Sequence, residues 1–135
     1  MEEIWRIWEV GNEMKSKYYV ESIIDNIEGF RILLSEANDE SKKVEILFED
    51  SVHAYRSTDE SFRQSTINYL DEYYGTEFYR DRTFFKVSNS KYIQWLSLQS
   101  FGIADSEPVH HFSILAVDSV VDIIAAYEPK ISKLY

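Results

Sequence analysis

Residues 42–60, KKVEILFEDSVHAYRSTDE, place the tightest constraint on what this chain can fold into. Val44, Ile46 and Phe48 alternate with Glu45, Leu47 and Glu49, a period of two that sends one strand face into a core. The same register keeps Val52 and Ala54 on the core side and then brings Arg56 there as well. A guanidinium enters a core only with a partner, because stripping its water is costly. The strand therefore ends in a bend or in an ion pair. Glu60, one helical turn further on, is the expected carboxylate, with Asp59 and Asp122 as the other candidates. Arg56 with Glu60 reads as a structural latch from strand end to helix start.

The rest of the chain supplies strands before this stretch and helices after it. Residues 4–10, IWRIWEV, are short and rich in strand formers, and lead into a turn at Gly11-Asn12. Residues 18–27 and 30–35 read as a hairpin around Glu28-Gly29, and residues 42–50 extend it into a meander. Ser57 with Glu60 three residues later matches a capping box, predicting a helix over 57–74 that Gly75 stops. Phe62, Thr66, Tyr69, Leu70 and Tyr73 give that helix one apolar stripe. Residues 83–87 read as a short strand, and Ser88-Asn89-Ser90 as caps for a second helix over 91–101. Tyr92, Trp95, Leu96 and Leu98 make that helix apolar on more than one side. Residues 109–117 and 120–127 read as the last two strands, with Pro129 closing the ordered region. The expected fold is one α+β domain over 1–135, an antiparallel sheet of about six strands with two helices packed on one face.

Composition narrows the function. A length of 135 residues, 44% hydrophobic, is enough for one well-filled core. There is no cysteine, so neither disulfides nor thiolate chemistry arise. No window reaches the roughly 18 apolar residues of a membrane span, and Glu2, Glu3, Arg6 and Glu9 interrupt any secretory signal. A cytoplasmic protein without membrane contact is expected. The net charge of −10 repels a phosphate backbone, so nucleic acid is not the expected partner. Residues 1–60 carry 15 acids against 7 bases, so most of the negative field lies there. Such a field either serves solubility or steers a basic protein partner. Glu45, Glu49, Asp50 and Tyr55 are the outward candidates for that contact.

No pattern of chemical residues spells out a reaction. His110 and His111 are neighbours on a strand and point to opposite faces, so they cannot share one metal. His53 could join either of them, with a carboxylate, as a general acid–base pair, which is the enzyme alternative. The glycines at 11, 29, 75 and 102 are too far apart for a phosphate loop, and no G-x-S-x-G occurs. Glu49-Asp50 and Asp59-Glu60 lack calcium-loop spacing. Tyr73, Tyr74, Phe78, Tyr79, Phe84 and Phe85 interleave with Arg80, Arg82 and Lys86, a pattern read as core packing or a protein-contact rim. Neither cofactor nor metal is expected, and the leading reading is a non-catalytic binder. A homo-oligomer that buries the Trp95 helix is a further alternative; the oligomeric state is open.

The segments ILFEDSVHAYRSTDESFR, FFKVSNSKYIQWLSLQS and HHFSILAVDSVVDIIAAYEP, in that order, resemble small acidic bacterial proteins of the toxin-immunity type. The resemblance covers roughly residues 18–130. It implies a cytoplasmic protein that blocks a cognate toxin, often a nuclease with a basic cleft, and it carries no functional residue with it.

Overall fold

Two antiparallel sheets lie face to face, and the helices cover the outer side of the larger one. The computed structural model describes residues 2–10 and 15–134. In chain order the strands are β1 (Ile4–Ile7), β2 (Tyr18–Asn26), β3 (Gly29–Glu36), β4 (Asp39–Phe48), β5 (Ala54–Asp59), β6 (Phe84–Ser88), β7 (His110–Leu115), β8 (Ser119–Ala125) and β9 (Lys130–Lys133). The helices are α1 (Gln64–Tyr74), α2 (Glu77–Arg80) and α3 (Lys91–Gln99). The larger sheet has the order β1-β6-β7-β8-β5 and the smaller β2-β3-β4-β9. The expected α+β class holds, while the single sheet of about six strands becomes nine strands in two sheets, with a third, short helix.

The division into two sheets happens inside the constraining stretch. Val44, Ile46 and Phe48 are fully buried, as the alternation requires. Phe48 pairs with Phe30 in the smaller sheet, whereas Ala54 pairs with Ile124 in the larger one. Residues 49–53 therefore carry the chain from one sheet to the other, and the strand does not run through to Arg56. Tyr18, Ile32, Leu34 and Phe48 of the smaller sheet meet Phe112, Ile114, Val121 and Ile123 of the larger across the main core. Each such side chain contributes roughly 1.5–3 kcal/mol on burial. Trp5, Phe85, Leu115 and Val120 face the opposite way and pack under Leu70 of α1. β7 and β8 are thus the middle of three layers, which is why both are almost continuously buried.

Local corrections have local causes. Ser57 does not cap a helix; it stays in β5 opposite Val121, because ladder pairing with β8 continues to Asp59. Asp59 instead accepts the Ser61 N–H at 2.9 Å and caps a 3-10 turn over Glu60–Phe62, so α1 begins only at Gln64. Phe62, expected in the apolar stripe, is exposed, while Leu70 is buried. Gly75 ends α1 as expected, its N–H reaching the Leu70 and Asp71 carbonyls at 3.1 Å. The first hairpin turns at Ile27-Glu28, with Gly29 already paired to Asn26. Gly29 has φ +124°, and a Cβ there would sit 2.5 Å from the Phe48 carbonyl oxygen. Ser90 caps α3, accepting the Ile93 N–H at 3.0 Å. The chain continues past Pro129 into β9, which pairs with β4. β1 is the strand expected near the start; the Gly11-Asn12 turn lies outside the described residues.

Candidate functional site

Alternation along β7 and β8 sends Phe112, Ile114, Val121 and Ile123 into the inter-sheet core. Their neighbours His111 and Asp122 point to the opposite face, toward the helices. Asp122 is fully buried and its two oxygens are fully used. Oδ1 accepts from His111 Nε2 at 2.7 Å, and Oδ2 accepts from Arg56 Nε at 2.9 Å and from Arg63 Nη1 at 2.8 Å. Burial alone would raise this carboxyl. The hydrogen bond and charge of His111, then the charges of Arg63 and Arg56, outweigh it and hold the group well below the usual carboxylate range. Beyond His111, Nδ1 lies 2.7 Å from Ser90 Oγ. The Arg56 guanidinium lies 4.1 Å from the centre of the Tyr92 ring.

The latch expected between Arg56 and Glu60 is not formed, and a network around Asp122 stands in its place. The carboxylate for Arg56 is Asp122, not Glu60, whose side chain faces a separate apolar pocket. Arg56 is also less buried than expected, with 43% of its side chain exposed, whereas Arg63 has only 13%. Sequence reasoning missed Arg63 and Ser90. The signal was Asp122 itself: an acid inside VVDII, on a strand buried on both faces, demands cations from whatever packs above it.

Ser90, His111 and Asp122 stand in the order of a hydrolase relay. A groove of about 300 Å3 between β6 and α3 runs past Ser90 and His111. Yet Ser90 is only 4% exposed and His111 2%. The serine oxygen is engaged twice, with His111 and with the Ile93 N–H that it caps. The Lys91 N–H, which could face an oxyanion, donates to Glu3 Oε2 at 2.8 Å. Of the other histidines, His53 lies 3.4 Å from Glu107, and His110 packs on Phe112 at a centroid distance of 5.9 Å. The pairing of His53 with His110 or His111 that an acid–base site would use is not formed. Among the described residues no group of three or more histidines and acids is placed to hold a metal.

The open site is elsewhere. A cleft of about 510 Å3 lies between the β2–β3 turn, the segment crossing between the sheets, and α3. Phe30, Tyr55, Tyr92 and Trp95 supply aromatic lining, Asp25, Glu49 and Asp50 supply carboxylates, and no lysine or arginine lines it. Tyr55 packs on Phe30 with ring centres 4.4 Å apart, and Trp95 stacks on Tyr92 at 5.6 Å. Glu49 is ion-paired with Lys130, while the carboxylates of Asp25 and Asp50 make neither hydrogen bond nor ion pair among the described residues. Trp95 is 49% exposed and Ile27, at the turn, entirely so. Three of the four outward candidates, Glu49, Asp50 and Tyr55, are thus brought together. Glu45 is not: it lies 3.7 Å from Arg31, across the face of the smaller sheet turned away from the core. Asp25 was missed because only the tertiary fold sets the hairpin turn beside residues 49–55.

The aromatic segment 73–85 is used for packing. Tyr74 stacks on Phe78 at 4.5 Å, and Phe78 meets Phe85 at 5.1 Å, filling the space between the helices and the larger sheet. Among the described residues no helix is long and apolar enough to cross a membrane. Comparison of the chain with protein-family models, with curated proteins and with solved structures finds no match.

Proposed function

We propose that this chain is a non-catalytic cytoplasmic binding protein of the immunity type, which masks a basic surface on a nuclease-like toxin. The observation that carries the reading is the cleft: three carboxylates, the rings of Phe30, Tyr55, Tyr92 and Trp95, and no lysine or arginine in one open site. Aromatic side chains with few rotors make strong contact anchors, and Trp95 is held in place through its stack on buried Tyr92. Tyr92 in turn is fixed by Arg56 and so by the Asp122 latch. The buried network therefore serves binding indirectly, by pre-organising one wall of the cleft. Asp25 and Asp50, whose carboxylates have no partner among the described residues, favour a cationic visitor and speed its approach.

Capture of interacting proteins from the native host, followed by calorimetry on the purified pair, tests this. The expected partner is basic, its affinity falls at least about tenfold between roughly 50 and 500 mM salt, and Trp95→Ala costs at least about tenfold. Recovery of no protein at either salt concentration would overturn the proposal, as would binding indifferent to Trp95→Ala combined with Asp50→Asn. Self-association through Trp95, Leu98 and Phe101, all exposed, is the competing use of α3 and its C-terminal end. Light scattering showing a dimer that Trp95→Ala dissolves would favour that use instead.

A further inference from the structure

A further pocket, of about 250 Å3, lies where the 3-10 turn, α1 and α2 meet the turn between β7 and β8. Ile67, Leu115, Val120 and Tyr79 give it an apolar lining, into which Lys17 and Glu60 also face. Lys17 Nζ donates to the Leu115 carbonyl at 2.6 Å and lies 5.7 Å from the Tyr79 ring centre. Among the described residues no carboxylate lies within ion-pair distance of it; Glu60 and Asp81 act on it only from further away. An ammonium in such a setting has one hydrogen-bond acceptor and little water, and the neutral amine is the form that the pocket favours.

We propose that Lys17 is a nucleophilic amine whose pocket captures small apolar aldehydes as imines. The neutral nitrogen attacks the carbonyl carbon, a C–N bond forms, and the proton lost from nitrogen ends on the carbonyl oxygen. The resulting carbinolamine takes a proton from solvent and loses that oxygen as water, leaving the protonated imine, which returns one proton to solvent to become the neutral imine; hydrolysis reverses every step. Neither oxidant nor reductant is involved. A cavity of about 150 Å3 suffices for benzene, so this one takes a ring bearing an aldehyde.

Burial lowers the Lys17 amine from 10.5 to about 8, with Glu60 and Asp81 opposing part of the shift. At about pH 7.4 roughly a fifth of such an amine is neutral, against about one in a thousand of an ordinary lysine. Lower basicity gives back part of that advantage, so a net gain of about tenfold in rate is expected.

Native protein treated with benzaldehyde and cyanoborohydride, then mapped by mass spectrometry, reads this directly. The expected result is labelling of Lys17 at least about tenfold faster than any of the seven other lysines, with the preference lost in about 8 M urea. Glyoxylate, a polar and charged aldehyde, shares the gain from the neutral amine but not the fit to the apolar lining, so its preference for Lys17 should be smaller than that of benzaldehyde. Lys17→Arg should remove the dominant label and leave the slow background. Labelling of Lys17 at the rate of surface lysines, or a preference that survives in urea, overturns the proposal. An equal preference with glyoxylate overturns the assignment to apolar aldehydes.

Discussion

Replacing Asp122 by Asn changes one charge and almost no volume at the most constrained point of the fold. The amide can still occupy both contacts. Its oxygen can face Arg56 and Arg63 while its NH2 group faces His111, provided His111 Nε2 carries no proton and Nδ1 donates to Ser90 Oγ, 2.7 Å away. What is lost is the ionised acceptor. A hydrogen bond to a charged group contributes roughly 1.5–3 kcal/mol and a neutral one about 0.5–1.5. The two guanidinium bonds, at 2.9 and 2.8 Å, therefore lose about 2–3 kcal/mol together. Leaving Arg63 charged and 13% exposed without a counter-ion adds about 1 more. The expected loss is about 3–4 kcal/mol, or roughly 10 °C in melting temperature for a domain of this size. Urea unfolding followed by tryptophan fluorescence measures it. The same reasoning ranks the cations: Arg63→Met should cost about 2–3 kcal/mol, and Arg56→Met, with 43% of its side chain in water, only about 1. An Asp122→Asn loss below about 1 kcal/mol, or an Arg56 variant as damaging as the Arg63 variant, would refute this account of the latch.

Acid should expose the same group. The folded carboxyl of Asp122 titrates below its unfolded value near 3.9, so its stabilisation is complete above about pH 4 and is lost as pH falls through the folded value. Urea midpoints at about pH 7, 4 and 2.5 should show wild type and Asp122→Asn converging toward the acid end. Gly29→Ala should destabilise by about 2–3 kcal/mol, since both φ +124° and the approach to the Phe48 carbonyl exclude a side chain; a chemical melt within about 0.5 kcal/mol of wild type would contradict that. Lys17→Met should stabilise the fold at pH 7 by about 1–2 kcal/mol, after allowing for the lost bond to Leu115. Because a depressed lysine penalises folding only while its unfolded counterpart is protonated, the gain should fade as pH rises from about 8 to 10.5, which paired urea titrations would follow.

Local physics made much of this molecule readable. The alternation of Val44, Ile46 and Phe48 fixed which side of β4 is buried, and Gly75 and Ser90 marked helix ends because orphan backbone groups need local partners. The adjacent histidines fell on opposite faces, as any strand dictates. The arginine expected in the core is 43% exposed, and it meets a buried carboxylate, that of Asp122, only at its inner side.

What remained hidden involves residues far apart in the chain. Nothing in residues 42–60 says that β4 and β5 belong to different sheets; that depends on Phe30 claiming Phe48 and Ile124 claiming Ala54. Glu60 was the local choice for Arg56 because helical spacing brought it near. Pairing with β8 instead holds residues 57–59 extended and delivers Asp122, 66 positions away. The acidic aromatic cleft follows the same rule, assembled from a hairpin turn, a crossing between sheets and one face of α3. Sequence by itself determined the class of the fold and the buried face of β4, since each follows from patterns a few residues long. Tertiary structure alone decided the two-sheet layering, the identity of the carboxylate and the location of the open site, because contacts closing loops of many tens of residues leave no local periodicity to read.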